Sequence, residues 1–252
     1  MKVLVGTSGW IYKDWDKRFY PADMPDREKL KYYAQHFPTV EVNNSFYRLP
    51  SEDNFKNWRA QVHRDFLFSV KLSRFLTHIK RLKLEESTNE GVDRFCSRAQ
   101  HLRANLGVVL VQLPANFKAS EEKVENLAHQ FAKAEQNYKM PFPLAMEFRH
   151  ASWFTYKIFE LLRAHNIASV INSSPDMWPA SREFTADFAY IRFHGSQTLY
   201  ASSYTDKELN EWAAFIKKEA GDCSRVYCYF NNDRSARAIE NARYLSALLA
   251  GQ

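Results

Sequence analysis

Eight short apolar runs, spread through the whole chain and separated by amphipathic stretches, constrain this sequence more than any other feature. They cover residues 3–8, 39–43, 66–71, 107–113, 144–148, 168–172, 188–194 and 225–231. Each is rich in Val, Ile, Phe, Leu or Tyr, and most are bounded by turn residues, as buried strands are. The intervening segments have helical periodicity. Leu30, Tyr33, Ala34 and Phe37 form a one-sided stripe, and Phe55, Trp58 and Val62 form another. Thr205, Asp206, Lys207 and Glu208 make a capping box ahead of the apolar face of Leu209, Trp212, Ala213 and Ile216. Strands alternating with helices imply a parallel sheet with crossover helices. Eight of them in 252 residues match a (β/α)8 TIM-type barrel more closely than a doubly wound open sheet. No repeat, low-complexity tract or Pro/Ser-rich linker divides the chain, so residues 1–252 read as a single domain. A hydrophobic share of 45% excludes disorder and collagen-like repeats.

In such a barrel, chemistry gathers at the C-terminal ends of the strands, and here those ends are polar. Strand two closes on Glu41 and Asn43, which share a face by period-two alternation. Strand three ends at Lys71, strand four carries Gln112, and strand five supplies Glu147 with Arg149 and His150 just beyond. Strand six ends at Asn172. On strand seven Tyr190, Arg192 and His194 face one way, and strand eight presents Asn231, followed by Asn232. Buried charge is costly unless it is paired or used, so this convergence points to a ligand site. Glu41 and Glu147, three strands apart, suit an acid/base pair. Mutual neutralisation with Lys71 and Arg192 is the competing reading. His194 suits proton transfer near neutral pH, or service as an orienter.

The loops after the strands are aromatic, with Trp10, Tyr12 and Trp15, then Phe46 and Tyr47, then Trp153 and Phe154, then Tyr200 and Tyr204. Most such residues pack loop onto barrel, while those left exposed, with Trp10, Tyr47 and Trp153 as candidates, stack on a sugar ring or a base. Gly6-Thr7-Ser8-Gly9 is not a phosphate loop, and no H-x-H or H-E-x-x-H pair indicates zinc. No metal and no cofactor are expected, although Glu41, Glu147 and His194 are chemically able to ligate a divalent ion. The net charge of +6 favours anionic partners without deciding between them. Cys96, Cys223 and Cys228 form no C-x-x-C pair and read as buried reduced thiols. With no signal-peptide core and no apolar run long enough to span a bilayer, a cytoplasmic protein without membrane partners is expected.

Several motifs in order resemble the YecE-like family, a large family of unknown function. They are Gly6-Thr7-Ser8-Gly9-Trp10-x-Tyr12-x-x-Trp15, Phe19-Tyr20-Pro21, Val40-Glu41-Val42-Asn43-Asn44-Ser45-Phe46-Tyr47, Gln112-Leu113-Pro114, Glu147-Phe148-Arg149-His150-x-Ser152-Trp153, Arg192-x-His194-Gly195 and Tyr229-Phe230-Asn231-Asn232. The resemblance implies a TIM-type barrel and marks the site, but supplies no reaction.

The residues then support an enzyme, a metal-independent hydrolase or lyase. Its expected substrate is a small anionic, sugar- or nucleotide-like molecule at the barrel mouth. Glu41 and Glu147 divide acid and base roles, and Lys71, Arg149 and Arg192 hold an anion or a developing charge. Asn43, Asn231 and Asn232 orient hydroxyls, while Gln112 and His150 complete the substrate-binding set. The alternative is a non-catalytic binder of single-stranded nucleic acid. Nothing in the sequence marks a protein partner.

Overall fold

The structure, a computed structural model, describes residues 1–175 and 177–250. Nine parallel strands form one sheet: β1 (Lys2–Ser8), β2 (Thr39–Val42), β3 (Leu67–Lys71), β4 (Leu106–Gln112), β5 (Leu144–Glu147), β6 (Ala168–Ser169), β7 (Ile171–Ser173), β8 (Phe188–Phe193) and β9 (Arg225–Phe230). Their order is β6-β5-β4-β3-β2-β1-β9-β8-β7. The two edge strands, β6 and β7, are consecutive in the chain and separated only by Val170. The sheet therefore curls into a nearly closed barrel whose seam is a single extended segment. β6 pairs with β5 through Ala145↔Ala168, and β7 pairs with β8 through Ile171↔Ile191. The Val170 amide donates to the Met146 carbonyl at 2.9 Å. All eight expected strands are present, and the ninth arises because the sixth changes partner partway along.

Seven helices of eight or more residues surround the sheet: α1 (Asp26–Tyr33), α2 (Glu52–Ala60), α3 (Glu86–Ala99), α4 (Glu121–Tyr138), α5 (Tyr156–Ala164), α6 (Asp206–Glu219) and α7 (Arg237–Leu249). Among the described residues no helix joins β7 to β8, so the (β/α)8 pattern lacks one crossover helix. A one-residue bulge in β4 lies between the pairs Phe68↔Leu106 and Val70↔Val109. No described helix is long and apolar enough to cross a membrane.

Strand alternation divides the core in two. Leu4, Leu67, Val108, Leu110, Ala145, Val170, Phe188, Tyr190, Tyr227 and Tyr229 pack together inside the barrel. Residues of the opposite parity, such as Val40, Val42, Phe68, Val70, Met146 and Ile191, meet the apolar faces of the helices. Phe55 of α2, Phe131 of α4 and Ile216 of α6 are among the side chains buried there. The expected capping box is formed, with the Glu208 amide donating to Thr205 Oγ1 and the Thr205 amide to Glu208 Oε2. All three cysteines are free and buried.

Gly6 marks the tightest approach of backbone to backbone. A Cβ at this position would lie 2.1 Å from the Thr39 carbonyl oxygen on β2. Gly6→Ala is therefore expected to destabilise the protein by at least about 1–3 kcal/mol through overpacking. Urea denaturation reads this directly, and an unchanged midpoint would show that β1 and β2 can separate at no cost.

Candidate functional site

The inward parity of each strand that is apolar at the bottom turns polar at the top. Ser8, Glu41, Lys71, Gln112, Glu147, Asn172 and Arg192 take these last inward positions, with His194 and Asn231 following immediately. Glu41, Glu147, Arg192 and His194 are wholly or almost wholly buried.

Arg192 occupies the centre of this layer. Its Nε donates to Glu41 Oε2 at 2.9 Å and its NH2 to Glu41 Oε1 at 2.6 Å, while its NH1 donates to Glu147 Oε2. The remaining carboxylate capacity is also filled. Ser8 Oγ and Asn43 Nδ2 donate to Glu41 Oε1 at 2.8 and 3.1 Å, and Tyr190 OH donates to Glu41 Oε2 at 2.7 Å. Arg149 binds Glu147 Oε1 through both Nε and NH2 at 3.0 Å. Burial alone would raise both carboxylates, but the Arg192 charge outweighs it and holds both below the ordinary range. Arg192 thus bridges the two carboxylates and Arg149 binds the second of them, with the planar guanidinium fork that suits arginine to such pairing.

His194 is held neutral and oriented. Asn231 Nδ2 donates to its Nδ1 at 3.3 Å, so Nε2 carries the proton and donates to Asn172 Oδ1 at 3.2 Å. Burial, followed by the nearby Arg192 charge, pushes its pKa well down. The Trp178 ring packs edge-on against His194 at 5.3 Å and lies under the Arg149 guanidinium at 3.8 Å. On the opposite side, the Lys71 ammonium sits 4.3 Å over the Phe46 ring. After β3 the chain makes a π-helical turn, Phe75–Ile79, closed by the Lys80 amide on the Phe75 carbonyl at 2.8 Å. Wide turns of this kind often occur at functional sites, and here Arg74 and His78 line the mouth beside one.

Above the buried layer opens a cavity of about 610 Å³ lined by Tyr12, Asn43, Phe46, Tyr47, Lys71, Arg74, His78, Gln112, Arg149, Arg192, Tyr200 and Asn231. Seven residues singled out in the sequence meet here: Asn43, Tyr47, Lys71, Gln112, Arg149, Arg192 and Asn231. Glu41, Glu147 and His194 lie in the buried polar layer instead of the lining. The remaining four do other work. Trp10 packs edge-on against Trp58 in the core, and Trp153 stacks on Phe148 at 4.6 Å while donating to the Phe117 carbonyl. The His150 ring accepts from the Ser152 amide and so caps a short turn. Asn232 donates to Asn241 Oδ1 and the Ser202 carbonyl, tying α7 to the loop before α6. Of the loop aromatics expected to face a ligand, Tyr47 alone does so, at 82% exposure.

Five lining residues, Tyr12, Phe46, Arg74, His78 and Tyr200, escaped the sequence reading as site residues. Arg74 and His78 stand at i and i+4 behind a strand-end lysine, and that spacing was the available signal. Tyr200 lies in a loop whose path the sequence does not specify. Asp233, also unremarked, has a buried Oδ1 without a hydrogen-bond partner.

The two carboxylates expected to act as an acid/base pair are joined through Arg192. A guanidinium lies between them, both are ionised, and neither lines the cavity. Among the described residues no group of three or more His, Cys, Asp or Glu side chains is arranged to hold a metal ion. Lys71 is the cavity group whose proton is poised near neutrality, since burial and then Arg192 lower its pKa to about 8. His78, lowered to about 4 by burial and the neighbouring Lys71 and Arg149, is neutral at pH 7.

Arg192→Met strips buried Glu41 of its guanidinium and leaves Glu147 with Arg149 alone, and is expected to cost about 3–5 kcal/mol. Adding Glu41→Gln and Glu147→Gln should recover part of the loss in urea denaturation, whereas a loss in the single variant below about 1 kcal/mol would show that the carboxylates simply take up protons. Asp233 is displaced upward, as burial raises its pKa from 3.8 to about 8 against the pull of the Tyr12 hydroxyl. The folded state therefore binds more protons than the unfolded state between these values, and this contribution to stability falls as pH rises through that window. The Tm difference between the wild type and Asp233→Asn should decline from about pH 4 to about pH 8. A difference that stays flat would place the Asp233 titration near its ordinary value.

Comparison with known proteins agrees with the barrel. The family described as "Protein of unknown function DUF72" matches residues 4–252. The UPF0759 protein YunF of Bacillus subtilis is 27% identical over 98% of this chain and 94% of its own length. The UPF0759 protein YecE of Escherichia coli is 29% identical over 47% of this chain and 40% of its own length. The crystal structure of a DUF72 family protein from Thermotoga maritima superposes with a TM-score of 0.84 at 30% identity, covering 100% of both chains. A D-psicose 3-epimerase shares the fold at a TM-score of 0.56 and 9% identity, over 91% of this chain and 95% of its own. With its motifs, its barrel and its polar strand ends all in place, the chain belongs to the DUF72 family.

Proposed function

We propose that the barrel mouth binds a small anionic molecule, sugar- or nucleotide-like, and turns it over as a hydrolase or lyase that requires no metal. The observation that carries this reading is the lining, in which Lys71, Arg74, Arg149 and Arg192 contribute four cations and, among the described residues, no carboxylate contributes a surface. Glu41 and Glu147 set this field indirectly by fixing Arg192 and Arg149. A cavity walled by one sign of charge concentrates ligands of the other, and guanidinium forks match carboxylate and phosphate oxygens. Tyr47 and Tyr200 supply rings at the rim, and Asn43, Gln112 and Asn231 supply amides able to orient hydroxyls. In this reading Lys71 is the group that exchanges a proton during the reaction. The fold of a D-psicose 3-epimerase is compatible with a sugar-like substrate, but fold alone does not assign chemistry.

Thermal denaturation with matched pairs tests the reading, using glucose 6-phosphate against glucose and a nucleoside monophosphate against its nucleoside. A ligand at about 100 times its Kd adds about 2.7 kcal/mol, roughly 5–10 °C in Tm for a protein of this size. The phosphorylated member of a pair should stabilise, the neutral member should not, and Arg74→Ala or Arg149→Ala should abolish the shift. Equal effects within every pair would overturn the reading.

One observation favours a second reading. Tyr47, exposed beside these cations, suits a stacked base, as in a binder of single-stranded nucleic acid. Oligonucleotide affinity falling steeply with salt, without any response to the small ligands, would support it.

A further inference from the structure

Lys71 differs from the other cations of the mouth. Arg192 and Arg149 each bond to carboxylate oxygens, and Arg74 reaches solvent at the rim. Lys71 is 9% exposed, and among the described residues no carboxylate oxygen lies within 4.0 Å of its Nζ. Its neighbours from every side are charged or titratable. Arg192 faces it from β8, Glu147 and Arg149 from the end of β5, and Glu41 from β2, with Arg74 and His78 following on its own segment. The two carboxylates are already engaged by the guanidinium groups, so the local balance disfavours a further positive charge. The Phe46 ring beneath Nζ offers an apolar floor at 4.3 Å.

A lysine meant to hold an anion gains from staying charged and paired. A desolvated amine crowded by other cations is instead the setting in which lysine acts as a nucleophile toward carbonyl carbon. We propose that Lys71 condenses through Nζ with the carbonyl of an anionic aldehyde or ketone, such as an open-chain sugar phosphate, to form a protonated imine in this cavity. Arg74 and Arg149 hold the anionic group of that substrate. The inference rests on the anion-binding reading above and narrows it to lyase-type chemistry. The step balances without a co-reactant. The amine nitrogen bonds to the carbonyl carbon and the C=O bond breaks. The oxygen departs as water, so ammonium plus carbonyl becomes iminium plus water. The iminium then draws electrons from the adjacent carbon, and that withdrawal labilises the bonds there.

With its pKa lowered to about 8, roughly one Lys71 in ten is an unprotonated amine at pH 7, against about one in three thousand for an ordinary lysine. Lower basicity also lowers intrinsic nucleophilicity, so the net advantage is about tenfold or more.

The test uses pyridoxal 5′-phosphate as an aldehyde bearing an anion. Sodium borohydride reduces the imine to a stable secondary amine, and peptide mass spectrometry reads label at each lysine of the wild-type protein. Lys71 should label at least about tenfold faster at pH 7 than exposed Lys13 or Lys207. Pyridoxal without its phosphate should label it more slowly, and inorganic phosphate should protect it. Lys71→Arg should lose this fast phase, and a thermal unfolding transition as cooperative as the wild type's shows that the variant is folded. If Lys71 labels no faster than the exposed lysines, the nucleophile assignment is overturned. If phosphorylated ligands still raise Tm in that case, the anion-binding reading survives alone, and if they do not, both fall. Fast labelling that phosphate leaves unchanged overturns the assignment of Arg74 and Arg149 as the anion holders.

Discussion

Two carboxylates buried in one barrel remain ionised only if a cation is placed between them, and Arg192 is that cation. Its fork meets both oxygens of Glu41 and one of Glu147, which ties β2, β5 and β8 together across the interior. Arg149 is held by the far oxygen of Glu147 and in turn carries the Trp178 ring. Arg192 and Arg149 owe their positions to carboxylates that do not themselves line the cavity. The charges of the layer nearly cancel below, while the surface presented above is positive. Desolvation makes such a network costly to assemble, and any member removed alone leaves its partner exposed to that cost.

The barrel was legible because it depends on local patterns. Period-two alternation separated Tyr190 and Arg192 from Ile191, and Glu41 from Val40 and Val42, and the structure keeps those assignments. The division of the sixth strand at Val170 was not legible, since an apolar run carries no mark of where it changes partners. Nor was the lack, among the described residues, of a crossover helix after β7. Residues 174–187 contain Pro175 and Pro179 and lack an apolar stripe, yet eight strands suggested eight helices.

At the barrel mouth the positions of the polar residues were legible, and the pairings between them were not. Parity brought Glu41, Lys71, Glu147 and Arg192 to one end, but distance along a chain cannot say which charge answers which. Two opposed carboxylates invite an acid/base reading until a guanidinium is found between them. Trp153 and Asn232 illustrate a related difficulty. Both stand beside site residues in sequence, yet their side chains point into the packing that supports the loops. The i, i+4 spacing of Arg74 and His78 hinted at a shared face, but the π turn just after β3 that brings them to the cavity was not legible.

That turn sets the length of one cavity wall. The i to i+5 closure between Phe75 and Lys80 accommodates one residue more than an α-helical turn would. Removing a residue from it would restore the tighter winding, and the residues after the deletion within the turn would move by about 100° about its axis. His78 would leave the cavity while Arg74 remained. This stretch of the mouth therefore tolerates exchange of side chains far better than a change in residue count, and insertions or deletions between Phe75 and Ile79 would redraw the pocket.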